Sequence, residues 1–205
     1  MTAEQFQTET DVSRETLDRL ALYLDLLTRW QSRINLVGSA TLGDPWRRHM
    51  LDSAQLLPLC PEGACSLIDL GTGAGFPGLV LAIMGVPEVH LVESDARKCA
   101  FLREAARVTA TVATIHPVRV ETLKPWAVDV VTARALAPLP KLLGLAAPFL
   151  QHVGSEGLFL KGKGVEGELT DARKQWTMTL DVRASRSDPS GAVLRISEVA
   201  RVRGR

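Results

Sequence analysis

Between residues 68 and 78 the chain reads Ile-Asp-Leu-Gly-Thr-Gly-Ala-Gly-Phe-Pro-Gly, a spacing that implies a pocket for a small polar molecule. The apolar run from Cys65 to Leu70 predicts a buried strand with Asp69 at its carboxyl end. Gly71, Gly73 and Gly75 follow at alternate positions, where the lack of a Cβ lets the backbone approach a ligand. A helical run then begins near Gly78. Glu93 closes a second apolar run, Val89 to Val92, and a carboxylate there can accept from two ribose hydroxyls. A strand, a glycine loop, a helix and an acid-tipped strand together predict a nucleoside site. The same glycines would also serve a plain strand-to-helix turn.

Which nucleoside is a matter of charge. Gly73-Ala-Gly75-Phe-Pro-Gly78 fits the G-x-G-x-x-G dinucleotide pattern, a weak signal alone. Two features favour S-adenosyl-L-methionine over a nicotinamide cofactor. Asp69 precedes the first glycine, where a carboxylate can face a cationic ligand and would repel a pyrophosphate. Pro77 beside Gly78 removes an N–H from a turn that would cradle a phosphate. A dinucleotide oxidoreductase also needs a second half-sheet or a substrate domain, and few residues are left for one. An NAD-dependent oxidoreductase and a non-catalytic RNA-binding or ribosome-assembly protein stay open as alternatives.

The elements that must position these groups follow from periodicity. Ser13 can cap a helix over 13–32 whose Leu17, Leu20, Leu24, Leu27 and Trp30 form one apolar stripe. Asp44-Pro45 predicts the start of a second helix running through Leu57. Pro58, Pro61 and Gly63 then close an N-terminal helical appendage, residues 1–62, ahead of the main domain, 63–205. Strands are expected near 65–70, 88–93, 112–118, 128–133 and 157–161, with helices near 78–85, 96–109, 138–151 and 165–176. Such alternation predicts an α/β fold with a mostly parallel sheet covered on both faces. Met178 to Ala184 and Ala192 to Val199 read as two further strands joined by the turn Asp188-Pro189-Ser190-Gly191. A parallel sheet closing on an antiparallel edge strand resembles the class I (Rossmann-like) methyltransferase arrangement.

Composition narrows the class. With 46% hydrophobic residues and a net charge of +1, the chain suits a globular protein whose partners are not set by total charge. Cys60, Cys65 and Cys99 form no C-x-x-C pair and read as reduced, buried thiols, with no metal site. The N-terminus lacks a basic-then-apolar leader and no apolar run would span a bilayer, so a cytoplasmic protein without a membrane partner is expected.

Several segments, in order over nearly the whole chain, resemble the bacterial 16S ribosomal RNA guanine-N7 methyltransferases, known as RsmG or GidB. They are Trp30-Gln-Ser-Arg-Ile-Asn35-Leu-Val, Arg48-His49-Met-Leu-Asp52-Ser53, Asp69 to Gly78, Leu91-Val-Glu93-Ser, and Arg97-Lys98 with Phe101-Leu102. Arg119-Val-Glu121, Thr132-Ala-Arg134-Ala135, and Lys161-Gly162 with Glu168-Leu169 complete the set. Gln31 stands where the family commonly has Asn, and Thr122 where a second acid is frequent. The resemblance implies S-adenosyl-L-methionine as cofactor and a guanine N7 in the 530 loop of 16S rRNA as acceptor, in naked RNA, the small ribosomal subunit or an assembly intermediate. A monomer is expected. The resemblance also implies cofactor contacts at Gly71 and Phe76, Glu93 at the ribose, Val120 and Glu121 near the adenine, and Arg134 at the end of the fourth strand. With Asp69, Gly73 and Gly75 these make the expected cofactor set, and their strand-end positions suit an open parallel sheet.

His49, Asp52, Arg134 and Lys161 are candidates for positioning the base. His49 and Asp52, three apart on an expected helix, share a face; they read as an acid–base pair or as a ring fixed by its carboxylate. Arg134 can meet the methionine carboxylate, orient the base, or pair with Asp69 or Asp129. No general base is required, because guanine N7 carries an in-plane lone pair and no proton. Lys161 and Lys163, Arg47-Arg48, Arg97-Lys98 and the tail Arg201 to Arg205 are candidate phosphate contacts, whereas Arg103, Arg107, Arg173 and Lys174 read as solvated helix faces. Phe76 can stack on cofactor or base, with Trp46 and Trp126 as lesser candidates. A single tyrosine argues against an aromatic RNA-reading platform.

Overall fold

The computed structural model describes residues 1–202; Arg203 and Arg205 of the expected basic tail lie outside the described residues. Thr2 and Gln5 form a reciprocal capping box for a first helix, α1 (Ala3–Thr10), which buries Phe6. The sequence pattern does not announce that helix. The Ser13 hydroxyl accepts from the Thr16 amide at 3.1 Å and starts α2 (Arg14–Gln31), whose leucine stripe is buried and whose Trp30 is half-buried. The single helix expected from Asp44 to Leu57 is instead broken. Asp44 does accept from the Arg47 amide, but the chain widens into a π-helical stretch, Trp46–Leu51, then passes through α3 (Asp52–Ala54) and a 3-10 turn, Leu57–Leu59. Such widened turns are enriched at functional sites, and this one carries His49.

Alternating strands and helices follow: β1 (Ser66–Leu70), α4 (Gly78–Ile83), β2 (Glu88–Val92), α5 (Ala96–Val108), β3 (Thr114–His116), β4 (Val130–Arg134), α6 (Leu139–Ala146), β5 (Glu156–Lys161), α7 (Val165–Arg173), β6 (Trp176–Ala184) and β7 (Ala192–Arg201). The sheet order is β3-β2-β1-β4-β5-β7-β6. The first five are parallel; β7 runs antiparallel to both neighbours, one place in from the edge, and the edge itself is β6. The Gly191 amide closes the β6–β7 turn on the Asp188 carbonyl at 2.9 Å, as the Asp-Pro-Ser-Gly signal predicts.

Adjacent strand residues point to opposite faces, so Leu67 and Ile68 of β1 belong to different cores. On one face Leu67, Leu79 and Leu102 pack with Phe6, Leu20, Tyr23 and Leu27 from the first 62 residues. On the other, Ile68, Val131 and Phe159 pack with Leu143 and Phe149. Both faces of β1 are therefore dry, which suits a central parallel strand. The cysteines correct one expectation: Cys99 is buried and Cys60 half-buried, but Cys65 is exposed at the lip of β1.

Candidate active site

The glycine loop crosses the carboxyl end of β1, beside the point where the strand order reverses between β1 and β4. Asp69 does not face the opening. It is fully buried, and its Oδ2 accepts from the Gly78 amide at 2.9 Å while Oδ1 accepts from the Thr132 hydroxyl at 2.9 Å. The parallel register places Thr132 of β4 directly beside Asp69. Burial pushes the Asp69 carboxyl up to about 6 against these donors. The expectation that Asp69 confronts a cation is thereby corrected: the side chain ties the start of α4 to two strands and shapes the loop from beneath.

The three alternate glycines have different reasons to be glycine. All adopt positive φ: +65° at Gly71, +60° at Gly73 and +99° at Gly75. A Cβ at Gly75 would stand 2.6 Å from the Tyr23 hydroxyl, and one at Gly71 would meet the tip of Leu136 at 2.5 Å. At Gly73 it would meet nothing nearer than 4.0 Å, so this position opens on the cleft. Beneath the loop, Tyr23 is wholly buried and its hydroxyl donates to the Ala74 carbonyl. The Thr72 hydroxyl is buried beneath the loop, near enough to Asp69 to help hold its carboxylate. The open backbone face at Gly73 leaves room for a ligand laid across the loop.

Glu93 stands at the tip of β2, where its Oε2 accepts from the Gly73 amide at 3.0 Å and its Oε1 from the Asp95 amide at 2.7 Å. Each carboxylate oxygen has a second acceptor site, so Glu93 can fix the loop and still receive hydroxyls. Val120 and Glu121 occupy the 3-10 turn after β3, with Val120 buried and Glu121 exposed. Along the crest the order is therefore Glu121, Glu93, Gly71, Arg134 and Lys161. The acidic and loop residues lie over one half of the sheet and the basic ones over the other.

The basic half borders a cleft of about 810 Å³. Arg134 is its centre: one guanidinium nitrogen, Nη1, donates to Asp52 Oδ2 at 3.1 Å and lies 3.2 Å from both the Arg48 carbonyl and His49 Nδ1. The partner is Asp52, not Asp69 or Asp129. His49 Nδ1 must accept from this cation, so Nε2 carries the proton and donates to the Thr41 hydroxyl at 2.8 Å. Burial first, then Arg134 and Arg48, holds the imidazole down to about 3. His49 and Asp52 form no hydrogen bond with each other; both are held through Arg134. Asp52 Oδ1 accepts from Ser187 in the β6–β7 turn, and Arg48 pairs with Asp188 of the same turn at 2.8 Å. Just after Arg134, Ala135 sits at φ +52°, a strained position for a residue with a Cβ.

Phe76 is enclosed. Its ring stacks on His49 with centroids 4.7 Å apart, packs against Tyr23, and lies 4.9 Å beneath the Arg134 guanidinium. At 2% exposure it supports the polar cluster and leaves little ring face for a ligand. Trp46 packs on Phe6 and Trp126 on His90, His116 and Phe149, so neither stands at the cleft. Lys161 is also committed: its ammonium pairs with Glu168 at 2.6 Å and donates to the Ala137 carbonyl at 2.9 Å.

Tyr23, Thr72, Thr132, Ser187 and Asp188 support the loop and the cleft, roles that the sequence pattern does not assign to them. Thr132 is the most accessible of them, lying two residues before Arg134 at a strand end, although its partner depends on the β1–β4 register.

The sequence matches the profile of the GidB family, rRNA small subunit methyltransferase G, over residues 16–187. It is 61% identical over 201 residues to the ribosomal RNA small subunit methyltransferase G of Rhodospirillum rubrum, covering 98% of this chain and 100% of that protein. Identity to the corresponding protein of Paramagnetospirillum magneticum is 60% over 203 residues, covering 99% and 98%. In three dimensions the chain is similar to a TehB-like SAM-dependent methyltransferase from Corynebacterium glutamicum, with TM-score 0.59, 15% identity and 86% and 98% coverage. It is also similar to magnesium protoporphyrin IX methyltransferase from Synechocystis, with TM-score 0.58, 12% identity and 91% and 100% coverage. These last two likenesses concern the fold alone.

Proposed function

The chain belongs to the rRNA small subunit methyltransferase G family, and from that premise we propose a division of labour along its crest. The protein is an S-adenosylmethionine-dependent methyltransferase of small-subunit ribosomal RNA, acting on guanine N7. The loop from Gly71 to Gly75, with Thr72, Glu93, Val120 and Glu121, holds the cofactor over β1 to β3. The cleft around Arg134, His49 and Asp52 receives a guanine of the 530 loop over β4 and β5. The fit of the loop residues rests on the open face at Gly73 and the spare acceptor sites of Glu93.

When bound, the cofactor supplies an electrophilic methyl on a sulfonium sulfur, which the N7 lone pair can take directly. What this chain adds is alignment and exclusion of water, effects that can lower a barrier by roughly 7–11 kcal/mol. One observation carries this reading: the histidine in the cleft already accepts from Arg134 at Nδ1 and donates to Thr41 from Nε2, so both ring nitrogens are engaged. It is unsuited to carry a proton away, and N7 chemistry yields none to carry. Arg134, fixed through Nη1, keeps Nε and Nη2 without hydrogen-bond partners among the described residues. Those donors suit the O6 edge of a guanine beside N7.

Residues 1–62 act in this reading as a cap that supplies Tyr23 beneath the loop and the Arg48 to Asp52 segment beside the base. Among the described residues no helix is long and apolar enough to cross a membrane, and no His, Cys, Asp and Glu cluster is arranged for a metal. The reading calls on neither a metal nor a second copy, and a cytoplasmic monomer working on the subunit or its precursor suffices. A thermal-shift comparison tests the cofactor half. S-adenosylmethionine is expected to raise the melting temperature of the wild type and much less that of Glu93→Gln, with NADH inert; protection by NADH alone would overturn it.

A further inference from the structure

The cleft is lined by four side chains that carry full positive charge, and three are spoken for: Arg48 by Asp188, Arg134 by Asp52 and Lys161 by Glu168. Lys98, in the first turn of α5, lines the same cleft and has no carboxylate partner among the described residues. It is the surplus charge. Beyond it, α2 and α5 enclose a second groove of about 670 Å³, lined by Arg29, Trp30, Arg33, Glu104 and Arg107 among others. There the one acid, Glu104, is taken by Arg107 through two hydrogen bonds of 2.8 and 2.7 Å. Arg29 and Arg33 are exposed and make no ion pair among the described residues.

The groove and the cleft share no lining residue, but one short segment of chain borders both. The segment after α2 brings Arg33 to the groove and Leu36 to Gly38 to the cleft.

We propose that Lys98, Arg33 and Arg29 form a phosphate track, along which the RNA strand flanking the target guanine runs out of the cleft between α2 and α5. The proposal rests on the reading of the cleft as a guanine site. A basic groove beside such a site presents cations to a polyanion, and half or more of the hydrogen bonds that proteins make to nucleic acid go to the backbone, not the bases. The track gives affinity without sequence reading, which suits a chain poor in exposed aromatics.

Binding of a small-subunit rRNA fragment containing the target guanine, measured against salt concentration, tests it. Wild type is compared with Lys98→Ala and with the Arg29→Ala/Arg33→Ala pair, S-adenosylmethionine binding serving as the folding control. Removing one cation from a phosphate should flatten the slope of log K on log[salt] by about 0.7–0.9, so the single variant flattens by about that and the pair by about 1.4–1.8. An unchanged slope in both variants, with the wild type binding and methylating the fragment, overturns the track alone. Variants that keep the slope on RNA but lose affinity for the assembled subunit would assign the groove to a ribosomal protein and also overturn it. A wild type that neither binds nor methylates the fragment or the subunit brings down the guanine site, and the track with it.

Discussion

His49 stands in a reaction cleft without being free to titrate there. Its Nδ1 accepts from Arg134 and its Nε2 proton goes to Thr41, so the ring works as a spacer between a cation and a hydroxyl. Removing a true general base costs typically 10²–10⁴-fold in rate. His49→Gln is expected to lower kcat by less than about 100-fold, with no limb in the pH–rate profile near 6.5. A larger loss at unchanged cofactor and RNA affinity would contradict this. The same residue sets a stability trend. Its folded pKa of about 3 lies below the unfolded value of 6.5, so the unfolded chain takes up the proton first. Its contribution is complete above pH 6.5 and is lost as pH falls through that value toward 3. Asp69 works with the opposite sign: raised to about 6 from 3.8, its stabilisation is complete below about pH 4 and lost as pH rises toward 6. Chemical denaturation from pH 7 to 4 should therefore show a shallower loss in His49→Gln than in the wild type. Parallel curves would mean that the imidazole is not held neutral.

At the scale of elements, the loop between β1 and α4 separates two kinds of glycine. At Gly78 a Cβ would stand 2.5 Å from Leu91 and 2.6 Å from the Asp69 Cβ, both in the dry core. Gly78→Ala must push α4 from the sheet and is expected to cost about 1–3 kcal/mol in urea unfolding, the range for overpacked cores. Gly73→Ala has room within the protein and costs only about 1–2 kcal/mol for a left-handed alanine. On the proposed placement of the cofactor that methyl enters its space, so binding by calorimetry should fall much further than stability does. Equal losses of binding in the two variants would remove the distinction. This loop also marks what the sequence discloses. The glycine spacing, Glu93 and the strand ends are local patterns, and the sheet orders them as expected. The partners are not local. Asp69 reads as a pocket acid until register sets Thr132 beside it, and Arg134 finds Asp52 from the N-terminal segment, 82 residues away in sequence. Phe76 misleads for a related reason, since nothing nearby in sequence announces the His49 and Tyr23 rings that enclose it.

For the molecule as a whole, the N-terminal segment and the sheet share one apolar cluster, so the boundary near residue 62 does not coincide with a boundary in packing. Leu20, Tyr23 and Leu27 lie against Leu79 and Leu102 with no exposed area. A fragment of residues 63–205 would bare that face, and contiguous apolar patches of such extent drive association. The fragment is expected to aggregate or lose near-ultraviolet circular dichroism, while Leu27→Ala in the full chain costs about 2–5 kcal/mol. A monomeric, cooperatively folding fragment would show that the cap is dispensable.

The central claim is that this cleft transfers a methyl group to guanine N7 of small-subunit rRNA. Its most direct test incubates the protein and labelled S-adenosylmethionine with 16S rRNA and small subunits from cells lacking the enzyme, then maps label by mass spectrometry of nuclease fragments. One added methyl on N7 of one guanine in the 530 loop is the result expected. Label on another atom or another base, or none on either substrate, would contradict it.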